Sequence, residues 1–99
     1  MSQSAPYAAA MSEENREFCS QIREFCEAHE ISVRKLSAMC DGGRTRFSAA
    51  TAHRLLHGTT DDAVVERIRP VLAPAFVAFL EDRGYFASEI ESELSHIFD

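Results

Sequence analysis

The chain has 99 residues, 45% hydrophobic and 26% charged. That leaves room for one small core and excludes a barrel, a doubly wound nucleotide-binding fold or two independent cores. Ten Lys and Arg against 16 Asp and Glu give a formal charge of −6, which taken whole argues against a partner as anionic as DNA.

Residues 1 to about 11 are small, polar and aperiodic and read as a flexible tail, with 12–99 as one helical domain. Ser12 is a good N-cap, and Glu13, Glu14 and Glu17 complement the positive end of a helix dipole. Phe18, Ile22, Phe25 and Cys26 recur at i, i+4, i+7 and i+8, one apolar stripe of a helix that should end near His29. Ser32 opens a short helix through Cys40, with Val33, Leu36, Met39 and Cys40 on one face and Arg34, Lys35 and Ser37 outward. Gly42 and Gly43 stop it, Arg44 to Phe47 form a loop, and Ser48 caps a third helix that turns Ala52, Leu55 and Leu56 inward. Gly58 stands where a left-handed residue closes a helix. Residues 32–58 thus read as helix, glycine-containing turn, helix.

Thr60, Asp61 and Asp62 start a fourth helix carrying Val64, Val65, Ile68 and Leu72, which Pro70 and Pro74 are expected to kink or restart. Residues 75–80, AFVAFL, are apolar nearly all round, which predicts a place in the core or in a subunit interface. Gly84 ends that run, and Ser88 with Glu91 reads as the capping box of a last helix whose Ile90, Leu94, Ile97 and Phe98 face inward. No strand signal of useful length occurs. The expected fold is all-α, a compact bundle of five to six short helices with a central helix-turn-helix, in which 60–98 supply core and dimer contacts.

Some chemistries are not expected. Cys19, Cys26 and Cys40 cannot all pair and form no C-x-x-C, so they read as reduced, core-filling thiols; together with His29 their spacing fits no zinc pattern. His53 and His57 are spaced i, i+4 but have no third ligand at a telling distance, and no metal or cofactor is expected. A Gly-rich phosphate loop, a nucleophile elbow and a close set of acid, base and nucleophile are all missing, so the chain does not read as an enzyme. No stretch approaches the ~18 apolar residues of a membrane span. The N-terminus MSQSAPYAAAM has neither region of a secretory signal, so a cytoplasmic protein without membrane contact is expected.

The net charge hides a segregation. Residues 1–30 carry Arg16 and Arg23 against six glutamates, net −4; residues 59–99 carry three arginines against nine acids, net −6. Residues 31–58 carry Arg34, Lys35, Arg44, Arg46 and Arg54 against Asp41 alone, net +4, and contain His53 and His57. The basic island coincides with the helix-turn-helix, which makes double-stranded DNA the expected partner. A helix over 48–57 fits the major groove, where Arg54 could read guanine while Ser48, Thr51, His53 and His57 contact bases or phosphates. Arg34, Lys35, Arg44 and Arg46 would hold the backbone.

The strings ISVRKLSAMCDGG and SAATAHRLLHG resemble the lambda-repressor-like, or Cro/C1-type, helix-turn-helix family. The resemblance makes Ser32 the cap of the first motif helix, Leu36 and Ala38 its packing pair and Gly42 the turn glycine. Thr51, His53 and Arg54 fall on the recognition helix. Val33 stands where the family commonly has Gln, and the turn is longer by about four residues. The resemblance implies a sequence-specific DNA-binding protein, a transcriptional repressor of phage or mobile-element type acting as a homodimer. The other reading takes the total charge at face value: an acidic interaction module or DNA-mimic-like inhibitor, whose acidic helices bind a basic protein surface.

Overall fold

Ser12, Ser32, Ser48 and Asp61 each hold extended backbone and accept, through the side chain, the amide three residues on at 3.0 to 3.1 Å. Each thereby satisfies one of the amides that a helix start leaves unpaired. The structure, a computed structural model, describes residues 11–40 and 46–98. Behind the four caps run α1 Glu13–Ala28, α2 Val33–Met39, α3 Ala49–Leu56 and α4 Asp62–Asp82, and α5 Ala87–Phe98 follows. No strand occurs among the described residues.

Three helices end alike. The amides of Ile31, Thr59 and Tyr85 reach back to the carbonyls of Cys26, Arg54 and Leu80 at 2.7 to 3.0 Å, around a left-handed residue. That residue is Gly58 after α3 and Gly84 after α4, but Glu30 (φ 56°) after α1. These are Schellman endings, and the one at Glu30 bears the Cβ strain that glycine avoids.

Two expectations about the second half are corrected. α4 neither stops nor restarts at its prolines: it is one helix of 21 residues with Pro70 and Pro74 inside it. Both lie on its exposed face, where carbonyls that lose their helical partner can meet water. On the opposite face Val65, Ile68, Leu72, Phe76 and Leu80 are fully buried and anchor the helix through the interruption. The capping box of α5 also lies two residues earlier than Ser88 and Glu91. Phe86 is the cap: its carbonyl accepts from Ile90 at 2.9 Å and its amide donates to Glu89 Oε1 at 2.8 Å. Gly84 turns the chain so tightly that only the four residues 83–86 separate the helices, which carries Ser88 into the first turn.

The core is one cluster to which every helix contributes. Phe76 stacks on Phe25 with centroids 4.3 Å apart, and Phe98 meets Phe18 and Phe76 edge-on at 5.7 and 5.9 Å. AFVAFL is therefore central through Phe76 and Leu80, while Ala78 is exposed. Met11, the last residue of the expected tail, is buried, its thioether 3.9 Å from the Cys19 thiol. Residues 1–10 lie outside the described residues. All three cysteines are buried and unpaired. Burial pushes the Cys26 thiol up to about 12 and Cys40 up to about 11, and raises Cys19 against the opposing field of Arg69. Such thiols stay protonated at neutral pH and behave as small apolar groups.

A polar joint ties the start of α1 to the start of α4. Asn15, buried, donates through Nδ2 to Asp62 Oδ1 (2.7 Å) and Glu66 Oε2 (3.3 Å) and accepts the Arg69 guanidinium on Oδ1 (2.6 Å). Asp62 Oδ1 also accepts the Ser12 amide at 2.9 Å. Those donors, the Ser12 amide first and Asn15 next, hold the Asp62 carboxyl below its ordinary range. Among the described residues no helix is long and apolar enough to cross a membrane.

Candidate nucleic-acid interface

α3 is short enough that its anchor and its outward face can be read residue by residue. Ala52, Leu55 and Leu56 are buried, as the sequence predicts. Ser37 on α2 donates to the Phe47 carbonyl at 2.6 Å and so fixes the entry to α3 against α2. Ser48, Ala50, His53, Arg54 and His57 are exposed, and Ala49 and Thr51 half-buried.

The outward residues form two edges. Along one, Ser48 Oγ lies 3.3 Å from Thr51 Oγ1, which accepts the Arg54 guanidinium at 3.5 Å. This row turns the guanidinium along the helix and toward α1 and α4. Along the other, the His53 and His57 rings stack with centroids 4.0 Å apart at 23°. His57 Nδ1 lies 2.8 Å from the His53 carbonyl. A carbonyl only accepts, so Nδ1 is the donor in this contact.

The remaining predicted residues separate. Arg34 is exposed on the side of α2 opposite the buried Leu36, and Arg46 is exposed just ahead of the α3 cap. Arg44 lies outside the described residues, as do the turn glycines Gly42 and Gly43. Lys35 does not join the others: its ammonium stands 5.7 Å from the centroid of Phe79 on α4. At about 100° per residue, Lys35 and Ser37 flank Leu36 on opposite sides, so a residue facing α3 at position 37 turns position 35 away from it. The same geometry corrects the packing pair. Leu36 is fully buried and Ala38, two residues on and about 200° round the helix, is exposed.

Three of the predicted residues, Thr51, Arg54 and His57, line a groove of about 1020 Å3 between α1, α3 and the start of α4. Arg16, Ser20 and Arg23 form the α1 wall, and Thr60, Asp61, Val64 and Arg67 the α4 wall. Met11, Cys19 and Leu56 supply apolar lining. The groove thus holds four arginines and one carboxylate, Asp61, whose Oδ1 accepts the Val64 amide as the α4 cap. None of the four lies within 4 Å of a carboxylate; among the described residues the one side-chain nitrogen-to-carboxylate contact of ion-pair type is His29 Nε2 with Glu93 Oε1, charged only when the imidazole is protonated.

Arg16, Arg23 and Arg67 are absent from the set chosen on sequence. Counting charge by chain segment placed them in the acidic thirds, and the fold carries them to the basic one. A signal was present. Arg16, Cys19, Ser20 and Arg23 fall at i, i+3, i+4 and i+7, one helix face with an arginine at either end. No protein-family model, curated protein or solved structure matches the chain.

Proposed function

We propose that the chain is a sequence-specific DNA-binding protein that reads duplex DNA with α3, as in the helix-turn-helix repressors it resembles. The observation that carries this reading is the outward face of α3. In a chain with 16 acidic residues, α2 and α3 contain none, while α3 presents Thr51, His53, Arg54 and His57 on a helix anchored by three buried residues. A helix so presented suits the major groove, and Arg54 has the forked donors that read guanine. Arg34, Arg44 and Arg46 on the flanking segments are assigned to phosphates. The role in repression rests on the resemblance.

A homodimer accompanies this reading, because operators are read by two-fold pairs of such modules. Its proposed seam is the α4–α5 side, where Ala73, Val77, Ile90, Leu94 and Phe98 line a shallow groove of about 480 Å3 and Phe86 is 74% exposed.

Selection from a random duplex pool tests the function directly. A folded sample that retains no duplex at low salt would overturn it and leave the acidic helices as the interaction surface. With a selected site in hand, Arg54→Ala should cost about 1 to 3 kcal/mol at one base position, whereas Arg34→Ala should weaken all sequences alike.

A further inference from the structure

The groove between α1, α3 and α4 has a ligand chemistry of its own. Four guanidiniums line it without a carboxylate neighbour, and a guanidinium is the side chain best matched to the paired oxygens of a phosphate. Their placement distinguishes among phosphate ligands. Arg16 and Arg23 are seven residues apart on one helix, about 10.5 Å along its axis, and Arg54 and Arg67 stand on the two other walls. A single phosphate cannot span that spread, and a chain of phosphates can. A mononucleotide would also need a platform for its base, and the lining holds no Phe, Tyr or Trp, the one ring being the imidazole of His57. What the groove offers is a grip on a backbone with no provision for bases.

We infer that this groove holds the phosphodiester backbone of one DNA strand beside the reading helix, and that Arg16, Arg23 and Arg67, all outside the helix-turn-helix, grip its phosphates. The assignment rests on the DNA-reading role of α3. Thr51, Arg54 and His57 belong to both surfaces, so a strand in the groove runs directly along the edge of α3. The buried Asn15 joint, which binds the start of α1 to α4, holds two of the walls at a constant separation. The basic surface is thus wider than the basic segment of the chain.

The test is fluorescence anisotropy with a random-sequence duplex of about 20 base pairs over a series of KCl concentrations, a length that covers two half-sites about one helical turn apart. Wild type is compared with the double variant Arg23→Gln, Arg67→Gln. Both side chains are exposed and make no ion pair, so circular dichroism should show the fold intact. The slope of log K against log salt should become shallower by about 1.8 for each bound protomer, roughly 0.9 for each phosphate that the variant no longer neutralises, with base preference at the selected site unchanged. The pair Arg23→Lys, Arg67→Lys should recover most of the slope. A wild type that binds duplex together with a double Gln variant of unchanged slope would overturn the groove assignment and leave the α3 reading standing. Failure of folded wild type to bind duplex at 50 mM KCl would overturn both. Saturable binding of inorganic tripolyphosphate without duplex binding would also overturn the assignment, making the groove a small-anion site.

Discussion

The two ends of the helical bundle treat their cations in opposite ways. At one end Phe79 lies beneath both Lys35 and Arg83, with Arg83 4.6 Å from the ring centroid, and His29 stands 3.1 Å from Glu93 and edge-on to Phe79 and Tyr85. There Lys35, Arg83 and His29 each have a partner within the chain. At the other end Arg16, Arg23, Arg54 and Arg67 line an open groove and face neither a carboxylate nor an aromatic ring. Arg69 marks the boundary: it is near the groove end in sequence, yet it stands 4.2 Å over Phe18 and donates to Asn15. A basic residue's availability therefore follows from what the fold puts beside it. Cations matched by rings and acids are engaged within the fold, and those left unmatched remain open to a ligand.

Truncating the aromatic end should have the largest effect. Phe76→Ala removes a fully buried ring stacked on Phe25 and touching Phe98. Urea denaturation should show a loss of about 3 to 5 kcal/mol, a large fraction of the stability of a small domain. A loss under about 1 kcal/mol would show that this end does not organise the core.

Asn15→Ala strikes the joint behind the groove and leaves Asp62, Glu66 and Arg69 without their shared partner. A loss of about 1 to 3 kcal/mol is expected by denaturation. Duplex affinity measured under conditions where the variant remains folded should also fall, because the α1 and α4 walls are no longer held together. Unchanged affinity would separate the joint from the groove.

The contrast between the two sets of cations is sharpest in a matched series. Arg83→Gln removes a cation from the Phe79 face and should cost about 0.5 to 1 kcal/mol. Arg23→Gln and Arg67→Gln should each stay within about 0.5 kcal/mol of wild type in stability while weakening DNA binding. Equal effects on stability at the two ends would erase the comparison.

The smallest effect is an acid limb. Asp62 has a lower pKa in the folded chain than its ordinary value of 3.8, chiefly because it accepts the Ser12 amide. Its contribution is complete above that ordinary value and is lost as pH falls through the folded one, since protonation then favours the unfolded chain. Thermal unfolding from pH 6 to pH 2 should therefore decline less steeply in Asp62→Asn than in wild type.

Much of the fold was legible because it is written locally. Ser12, Ser32 and Ser48 cap helices by bonding amides three residues away, and Gly58 and Gly84 end helices through their own φ, so neighbours in the chain suffice to locate the boundaries. The apolar stripes of α1 and α5 needed no more than their spacing. Pro70 and Pro74 misled because the local rule against proline was outweighed by five buried residues on the far side of the helix. Phe86 misled because it caps with its backbone, which any residue possesses. At the candidate site Thr51, Arg54 and His57 were readable from the face of one helix, and the groove they border was not.

The amino-acid sequence by itself determined an all-helical chain, the limits of four of its helices and the side of α3 that faces outward, since caps, left-handed endings and 3.6-residue spacing act within a few residues. Only the tertiary structure decided which cations meet. It brought Arg16, Arg23 and Arg67 from acidic segments to Arg54 and His57, and turned Lys35 from the basic segment onto Phe79. The physical reason is that electrostatic proximity is a property of helix faces in space. A charge summed along the chain averages over faces that packing then separates.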